Sequence, residues 1–554
     1  MVSLSGLGNY TGFESLADAN ILAFPEPNRA DWVDATGSLM KRRVVIVGGG
    51  TAGWLTAGII AAEHQTGSEA EAGVEITLVE SPDVATLGVG EGTWPTMRDT
   101  LRQIGLSEAE FLRCCDASFK QGSQFINWSR GEGETYYHPF SAPSGYADIN
   151  LAAHWQAHKQ SISFVDAVCP QGQVCDRRLA PKQPQTPEYA FNLNYGYHLN
   201  AGKFSQLLQR HCVEKLGVEH RLGHVTEVVS AENGDIAALR LESGDSLEGA
   251  LFIDCTGFAA RLIGQHYGIA FKSRRDSLFN DTALAVQADY AREASPVASC
   301  TRATAQSNGW VWDIALPSRR GIGYTFSSQH TSVEAAEDEL ACYLEADPDL
   351  AAQQLSPRKI SFQPGHREVF WYKNCVAIGV SAGFIEPLEA TALVLIEKSA
   401  EWLSRQLPQN RDAMSVLAKR FNEMTRQRWD AIIDFLKLHY VLTQREDSDY
   451  WRDHCRPESI PESLSDSLKL WRTQVPWHYD SLYRFELFSS ASIQYVLYGL
   501  GFQTQVNGER YRNWHQESER AARLFRDNQT KIKTFTASLP SNRELLTKIA
   551  KARR

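Results

Sequence analysis

A short apolar run that ends in a glycine-rich turn constrains the fold of this chain more than any other feature. The β-branched residues 44–47 run directly into Gly-Gly-Gly-Thr-Ala-Gly at 48–53, and a helix-compatible stretch over 54–63 follows. A second strand-like segment, 74–79, then ends at Glu80. Continuous apolar strands joined through a helix are typical of a parallel sheet that is buried on both faces. The sequence therefore predicts a Rossmann-type βαβ unit.

The spacing of these glycines indicates a site for a dinucleotide. Gly48 permits the tight turn, Gly50 lets the backbone approach a pyrophosphate, and Gly53 allows close packing of the helix on the strand. The helix N-terminus offers free N–H groups to the phosphates, and Glu80 is placed to accept from a ribose hydroxyl. Glycines can also merely punctuate a loop, but here the strand, the helix and the acid are all present. The predicted cofactor contacts in this unit are Gly48, Gly50, Thr51, Ala52, Gly53 and Glu80.

Three strand-like segments further along the chain are separated by glycine-containing turns. They span residues 225–229, 236–241 and 247–254, and the last feeds into another strand-to-turn junction at 254–257. Such turns between alternating segments indicate an antiparallel meander. An antiparallel meander that follows a single glycine motif for dinucleotide binding favours FAD over NAD as the cofactor. The sequence has no second glycine motif that would bind a nicotinamide cofactor. The electrons that reduce the FAD are therefore expected to come from outside this chain.

The remaining pattern divides the chain into three parts. Residues 1–39 are polar and aperiodic and are interpreted as an N-terminal extension, with Met40 as an alternative start. Residues 40–400 hold the βαβ unit, the meander and a further strand-to-turn junction at 375–379, and are expected to form the cofactor-binding core. Apolar residues recur at near-helical spacing within 413–442, so residues 401–554 are predicted to be mostly helical. The predicted fold class is α/β, with an FAD-binding core and a mostly helical C-terminal region.

Composition excludes several other classes of protein. The 56 Lys and Arg against 66 Asp and Glu give a net charge of −10, which offers nucleic acid no general phosphate-neutralising surface. No apolar run approaches the roughly 18 residues that cross a bilayer, and no apolar segment typical of a secretory signal precedes Arg29. The ten cysteines show no C-x-x-C pair and no metal-finger spacing, so we expect reduced thiols, no metal site and a cytoplasmic location.

Five segments, taken together, resemble the flavin-dependent tryptophan halogenases. The likeness extends from about Lys41 to Gly501, and its W-x-W-x-I signature is unusually specific. It implies a flavin-monooxygenase-like FAD module on which a helical substrate module packs. The segments are Gly-Gly-Gly-Thr-Ala-Gly-Trp at 48–54, Gly-Val-Gly-Glu-Gly-Thr-Trp-Pro at 88–95, Ala-Ser-Phe-Lys at 117–120, Gly-Trp-Val-Trp-Asp-Ile at 309–314 and Phe-Ile-Glu-Pro-Leu-Glu at 384–389.

The resemblance implies that reduced flavin and dioxygen oxidise a halide to hypohalous acid, which a lysine then passes to the organic substrate. Lys120 matches that lysine. An ammonium can hydrogen-bond and polarise hypohalous acid, or an amine can form a haloamine, and either form presents an electrophilic halogen to an aromatic ring. An isolated lysine is more often a solvated helix residue, so the surrounding motif carries the assignment. The flavin would be FADH₂ supplied by a separate flavin reductase.

Glu389 matches the catalytic carboxylate of the same family. It can orient the electrophile, stabilise the cationic ring and remove the ring proton. Glu386 is the rival, because at spacing i, i+3 the two acids could share one face of a helical turn, and both could also simply complement a helix dipole. The halide, chloride or bromide, is expected at the backbone N–H groups of Thr391 and Ala392. The family usually has Ser-Thr-Gly after the glutamate, so the methyl group of Ala392 leaves open which halide is accepted.

Two tryptophans are expected to separate the flavin from the substrate. By resemblance, Trp310 and Trp312 keep the substrate from direct oxygenation, although alternating aromatic residues on a strand most often pack a sheet. The segment continues with residues 313–317 in place of the usual Ile-Pro step, which weakens the local match. Further flavin contacts are expected at Val225, Gly379, Val380 and Leu393.

The substrate is expected to be an indole-like ring rather than free tryptophan. A Tyr-Tyr-His-Pro-Phe segment resembles the family segment whose His and Phe flank the indole, so His138 and Phe140 are substrate candidates, with a partly buried core pair as the alternative. Tyr483 and Phe488 are further candidates. Enzymes of free tryptophan place a glutamate where Tyr483 falls and an asparagine where Ser492 falls. A cationic amine in a dry pocket needs such a partner.

Two other functions compete with this hypothesis. A flavin monooxygenase would insert oxygen into the aromatic ring, and a non-catalytic flavin-binding protein would use the fold alone. Neither nucleic acid nor a membrane is expected as a partner, and a homodimer is compatible with the sequence.

Overall fold

The computed structural model describes residues 42–64, 73–83, 90–350, 355–480 and 487–552. The N-terminal extension over 1–39 with Met40, part of the 88–95 segment, and Tyr483 lie outside these residues. The division of the remaining chain at residue 400 stays a prediction.

A six-stranded, largely parallel sheet forms the centre of the cofactor-binding core. Arg42–Val47 runs parallel to Leu251–Asp254 on one side and to Val74–Glu80 on the other. The helix Thr51–Glu63 connects two of these strands and buries most of its residues, which confirms the predicted βαβ unit. Across the sheet, the strands are Trp371–Tyr372, Cys375–Ala377, Leu251–Asp254, Arg42–Val47, Val74–Glu80 and Glu219–Leu222.

The predicted meander is present, but its third strand is shorter than the sequence suggested. The chain leaves the meander after Glu248, and Leu251–Asp254 joins the parallel sheet instead. The break falls at Gly249, where a Cβ would lie 2.9 Å from Val45 Cγ2. The prediction of one strand over 247–254 was wrong because the apolar pattern continues across a change of sheet. The meander strands are Val225–Ser230, Ile236–Leu241 and Ser246–Glu248.

A seven-stranded sheet, here called the wall sheet, carries the W-x-W-x-I segment. Its strand Gly309–Ala315 is buried along its whole length. In order, the wall sheet contains Arg358–Ser361, Thr282–Asp289, Arg319–Phe326, Gly309–Ala315, Thr301–Ala305, Gly122–Ile126 and Thr135–Pro139. One three-stranded sheet contains Gly90–Gly92, Gly196–Asn200 and Ser118–Lys120, and another contains Phe271–Ser273, Gly365–Arg367 and Gly383–Phe384.

The chain after Phe384 is mostly helical, as the sequence predicts. Its longest element, Arg411–Val441, is here called the long helix, and Asn410 caps it by accepting from the backbone N–H of Ala413. The helices after Phe384 are Thr391–Arg405, Arg411–Val441, Asp449–His454, Glu462–Trp471, Ser490–Gly499, Trp514–Ser538 and Asn542–Lys551. Those before it are Thr51–Glu63, Thr96–Gln103, Glu108–Cys114, Leu151–Trp155, Phe164–Val168, Gln171–Asp176, Ala201–Leu216 and Val333–Glu345.

One apolar core joins the strands to the C-terminal helices. The largest cluster of buried apolar side chains runs from Val44 in the parallel sheet to Leu546 in the last helix. The sheets and helices described above confirm the predicted α/β fold with a helical C-terminal region.

Within the described ranges, every helix is too short or too polar to cross a bilayer.

Candidate active site

The fingerprint glycines meet their surroundings in two different ways. Gly48 adopts φ 113°, and a Cβ there would lie 2.3 Å from the carbonyl oxygen of Cys255. A Cβ at Gly53 would lie 1.9 Å from the carbonyl oxygen of Gly48. At Gly50, by contrast, a Cβ would meet no described protein atom within 4 Å. Packing therefore requires glycine at 48 and 53, whereas Gly50 borders open space at the start of the helix.

One cavity of about 730 Å³ extends from this glycine turn to Lys120. Most of its lining surface is apolar, and its charged residues include Glu80, Lys120, Glu386 and Glu389. The residues predicted to hold a cofactor that line it are Gly48, Gly50, Thr51, Ala52, Glu80, Val225, Gly379, Val380 and Leu393. Lys120, Trp310, Trp312, Glu389, Thr391 and Ala392 line the same cavity. The structure thus brings the two groups of candidate residues together around a single space.

Glu80 lies at the end of its strand and already has protein partners. Its Oε1 lies 2.8 Å from Nε2 of His220 and accepts a long hydrogen bond of 3.4 Å from Gln209. A Cβ at Gly49 would lie 1.3 Å from Glu80 Oε2, so only glycine lets the carboxylate fold against the turn. His220, which is not among the predicted site residues, therefore helps to hold Glu80 beside the glycine turn.

Lys120 ends the short strand Ser118–Lys120 and is fully enclosed. Its Nζ has no hydrogen-bond partner among the described residues and lies 5.3 Å from the ring centroid of Phe140. Burial lowers the pKa of Lys120 to about 8, although the charge of Glu389 acts in the opposite direction. The structure excludes the alternative of a solvated helix lysine. Burial of an amine without a hydrogen-bond partner costs free energy. A molecule that enters the cavity and hydrogen-bonds to Nζ of Lys120 would offset that cost.

Side chains of one β-hairpin and of the long helix surround the carboxylate of Glu389. Its Oε1 lies 2.8 Å from Nδ1 of His138 and 3.4 Å from Nε2 of His439, and its Oε2 accepts a hydrogen bond of 3.3 Å from Ser123. Burial by itself would raise the pKa of Glu389, but the charge and hydrogen bond of His138 contribute to a net lowering. These neighbours therefore favour the ionised form of the Glu389 carboxyl group.

The backbone that presents Glu389 is strained. Glu389 and Ala390 have φ values of 65° and 56°, in the left-handed region that residues other than glycine rarely adopt. The helix Thr391–Arg405 begins at the next residue. Trp94 donates its indole N–H to the carbonyl oxygen of Glu389 over 2.8 Å, which helps to hold the turn. Strain of this kind persists only where the surroundings enforce it, and it concentrates at functional sites.

Glu386, the rival acid, faces different neighbours. Its Oε2 accepts hydrogen bonds of 2.6 Å from the amide of Asn280, the indole of Trp310 and the hydroxyl of Tyr440. Burial raises the pKa of Glu386, and these three hydrogen bonds oppose the rise. Because the backbone turns at Glu389, the two acids do not share one face of a helical turn.

The two tryptophans of the wall sheet face the cavity, and the residue after them faces away. Trp310 and Trp312 both line the cavity, since alternate residues of a strand point to the same side. Asp313 forms an ion pair with Arg320 of the neighbouring strand. The departure from the family pattern at this position is thus accommodated by a buried ion pair.

Aromatic rings pack around His138. The rings of Phe435 and Phe488 lie 5.6 Å and 6.3 Å from it between centroids, and they stack on each other at 3.7 Å. Phe140 lies beside the candidate lysine. Phe140 thus lies beside Lys120, His138 lies beside Glu389, and Phe488 packs against His138, although none of the three is among the described residues that line the cavity. Tyr483 lies outside the described residues.

Sequence reasoning missed several residues of this site. His439 and Ser123 approach the Glu389 carboxylate, and Trp94 holds its backbone. Phe435 and His439 belong to the long helix, and the sequence pattern places both on its buried face like the apolar residues around them. The presence of a histidine on this face could have drawn attention to His439. No feature of the sequence marks Ser123.

The chain is similar to known proteins along most of its length. The tryptophan halogenase family model matches residues 43–516. Tryptophan 6-halogenase SttH from Streptomyces toxytricini is 32% identical over 455 residues, which cover 78% of this chain and 84% of the relative. A solved tryptophan halogenase from Shewanella frigidimarina NCIMB 400 has a TM-score of 0.88 at 49% identity, over 92% of this chain and 98% of that one. Tar14, a tryptophan C-6 flavin-dependent halogenase (chlorinase) from taromycin biosynthesis, has a TM-score of 0.84 at 31% identity, over 92% of this chain and 100% of that one.

Proposed function

This chain belongs to the tryptophan halogenase family, and from that premise we propose that it transfers an oxidised halogen through Lys120 to an electron-rich aromatic ring. As a family member it is a flavin-dependent halogenase. The observation that carries the proposal is the buried Nζ of Lys120, which has no hydrogen-bond partner in the part of the chain that the structure describes. Lys120 lines the same cavity as the glycines of the turn. We take the oxidised halogen to be hypohalous acid and the ring to be indole or a substituted indole.

The residues of the glycine turn fit FAD. Open space at Gly50 leaves room for the pyrophosphate, and the helix that follows offers N–H groups without a side-chain cap. Glu80 is placed to bind a ribose hydroxyl. When bound, FAD supplies the redox chemistry that lets dioxygen oxidise a halide, and with one fingerprint in the chain a separate flavin reductase would deliver it as FADH₂. The further residues proposed to line the flavin are Val225, Gly379, Val380 and Leu393.

Gly50→Ala is expected to weaken FAD binding and to leave the fold intact. Its Cβ would meet no described protein atom within 4 Å, but it would occupy the space through which the pyrophosphate approaches the backbone. We expect the Kd of FAD to rise about tenfold, as measured by calorimetric titration, with an unchanged melting temperature of the apoprotein. In the control Gly48→Ala, the Cβ would lie 2.3 Å from the Cys255 carbonyl oxygen, so the melting temperature should fall. An unchanged Kd in Gly50→Ala would contradict the proposed pyrophosphate position.

The halide is proposed to bind at the backbone N–H groups of Thr391 and Ala392. These residues open the helix Thr391–Arg405, whose N-cap residue Ala390 contributes no side-chain cap. Free N–H groups and the positive end of the helix dipole favour an anion. Chloride and bromide both suit this chemistry.

Lys120 and Glu389 are proposed to act in successive steps of ring halogenation. The ammonium of Lys120 polarises hypohalous acid by hydrogen bonding, or its neutral amine takes up the halogen as a haloamine. A pKa of about 8 makes both forms of Lys120 available near neutral pH. Attack by the ring leaves a cationic intermediate, which the carboxylate of Glu389 stabilises before it removes the ring proton. His138, 2.8 Å from that carboxylate, orients it.

The substrate is proposed to be neutral and aromatic. His138, Phe140 and Phe488 are proposed to supply the aromatic contacts to an indole. Free tryptophan carries an ammonium that needs a buried polar partner, and this chain has Tyr483 and Ser492 where enzymes of free tryptophan have such partners. A neutral indole avoids that cost. Trp310 and Trp312 are proposed to keep the indole away from the flavin.

Gly92→Ala is expected to disturb Lys120 directly. A Cβ at Gly92 would lie 3.0 Å from Lys120 Nζ and 3.2 Å from Ala390 Cβ. Because a small displacement of a reacting group can cost about 100-fold in rate, we expect kcat for halogenation to fall by about 10- to 100-fold with an unchanged Kd of FAD. Steady-state product formation and FAD titration measure the two quantities. An unchanged kcat would mean that the exact position of Nζ is unimportant.

A reconstituted reaction tests the proposal. The protein, FAD, a flavin reductase with NADH, dioxygen and either chloride or bromide are incubated with indole and, separately, with free tryptophan, and mass spectrometry identifies the products. We expect halogenated indole and little halogenated tryptophan. Hydroxylated indole without halogenation would support a flavin monooxygenase instead. Binding of FAD with neither product would support a non-catalytic flavin-binding protein.

A further inference from the structure

Glu386 connects three separate parts of the chain at a single atom. Its Oε2 accepts from Asn280 before a strand of the wall sheet, from Trp310 within that sheet, and from Tyr440 near the end of the long helix. Each of these hydrogen bonds is 2.6 Å long, and all four residues are almost completely buried. Tyr450 in turn donates its hydroxyl to Asn280 Oδ1 over 3.0 Å. The carboxylate is therefore the centre of a buried polar network.

The orientation of the Trp310 ring depends on this network. Trp310 lines the cavity and packs against Trp128, with 6.1 Å between ring centroids. Its only polar atom, Nε1, donates to Glu386, and hydrogen bonds from N–H groups to a carboxylate are stronger than those between neutral partners. The terminal torsion of a tryptophan side chain has a broad energy profile, so the packed ring needs a polar anchor to keep one orientation.

We propose that Glu386 is a positioning residue that fixes Trp310 in the cavity wall and thereby keeps the reaction on halogenation. This inference rests on the proposed function, in which the tryptophans stand between the flavin and the ring substrate. Asn280 and Tyr440 both donate to Glu386 Oε2, so Asn280 alone still holds the carboxylate when the Tyr440 hydroxyl is removed. If the Trp310 ring turns, the substrate reaches the flavin, and oxygenation competes with halogenation. In that competing reaction one atom of dioxygen enters the ring, the other leaves as water, and FADH₂ becomes FAD.

The decisive measurement is the ratio of hydroxylated to halogenated ring product from the complete enzyme with indole, bromide and isotopically labelled dioxygen. Glu386→Ala removes the acceptor, and we expect the ratio to rise about tenfold. Glu386→Gln keeps an amide oxygen that accepts the same three hydrogen bonds, so we expect it to restore the ratio to within about threefold of the native value. A residue with a purely structural role would change the amount of active enzyme and leave this ratio alone.

Three further variants keep the test decisive if Glu386→Ala does not fold. Trp310→Phe removes the indole donor and keeps a ring, and it should raise the ratio in the same direction. Tyr440→Phe removes a different donor to the same oxygen, and it should lower the melting temperature with an unchanged ratio. Glu397→Gln alters another buried carboxyl group, bonded to Thr96 and Thr100, and should also leave the ratio unchanged.

The outcomes separate this inference from the proposed function. Native enzyme that yields no halogenated ring would refute the proposed function itself. Native enzyme that halogenates indole, with an unchanged ratio in folded Glu386→Ala, or in Trp310→Phe when that variant alone folds, would refute only the role of Glu386. An equal rise of the ratio in Tyr440→Phe or Glu397→Gln would also refute it, because loosening of the interior would then explain the effect.

Discussion

Lys120→Met is expected to lower the rate of ring halogenation by about 1,000-fold, or about 4 kcal/mol of transition-state stabilisation. Methionine keeps much of the volume of the lysine side chain but has no N–H donor and cannot form a haloamine. Oxidation of the halide does not use this amine in the proposed mechanism, so a soluble β-diketone trap should still be halogenated. FAD should bind as tightly as in the native protein. Product analysis with and without the trap, together with FAD titration, measures these effects.

Lys437→Met is the matched control for this substitution. Lys437 is also fully buried, and burial lowers its pKa to about 7. Unlike Lys120, it has partners, because its Nζ lies 2.9 Å from His454 Nδ1 and 3.1 Å from Ser459 Oγ. We expect Lys437→Met to leave the rate of ring halogenation within about twofold of native. Equal losses in the two variants would show that any buried lysine matters, and retained ring halogenation in Lys120→Met would overturn the proposed transfer.

Glu389→Gln is expected to lower kcat for ring halogenation by about 100-fold or more. Glutamine keeps the size of the side chain, but it cannot accept the ring proton and brings no negative charge to a cationic intermediate. Loss of that charge also removes the influence that raises the pKa of Lys120, so this pKa should fall below about 8. The midpoint of the change in rate that follows Lys120 titration should then lie at a lower pH in the variant than in the native enzyme, whichever form of the amine reacts. Steady-state rates across a pH series measure both effects.

Glu397→Gln serves as the control here as well. Glu397 is a buried acid of the helix that begins at Thr391, and burial raises its pKa to about 7. Its partners are Thr96 and Thr100, so its loss should alter stability and leave the pH profile of kcat unchanged. If Glu389→Gln keeps native kcat, another group must remove the ring proton, and the assignment of Glu389 fails.

The βαβ unit could be predicted because its signal is local. The apolar run, the turn glycines and the helix follow one another without a gap, and Gly48 and Gly53 are required by contacts within the same unit and its neighbouring strand. The prediction of one strand over 247–254 was wrong because the signal that ends the strand is not local. Its change of sheet at Gly249 depends on the close approach of Val45, about 200 residues earlier in the chain, which no window of sequence displays.

The candidate site was predictable in its residue types and only partly in its arrangement. Motif matching selected Lys120 and Glu389, but the difference between Glu389 and Glu386 depends on two residues with left-handed backbone conformations. Neither Glu389 nor Ala390 has a side chain that favours this conformation. The surroundings enforce it, so only the folded protein reveals it.

Local sequence was enough to predict most of the strands, turns and helices of the cofactor-binding core, because hydrophobic period and glycine conformation act over a few residues. The surroundings of each charged group, in contrast, arise only when distant segments pack together. His138, His439 and Ser123 reach Glu389 from positions 50 to 266 residues away. Burial in the core leaves Nζ of Lys120 without solvent and without a hydrogen-bond partner among the residues described. Desolvation and charge interaction depend on distance in space, and the order of residues along the chain does not specify that distance.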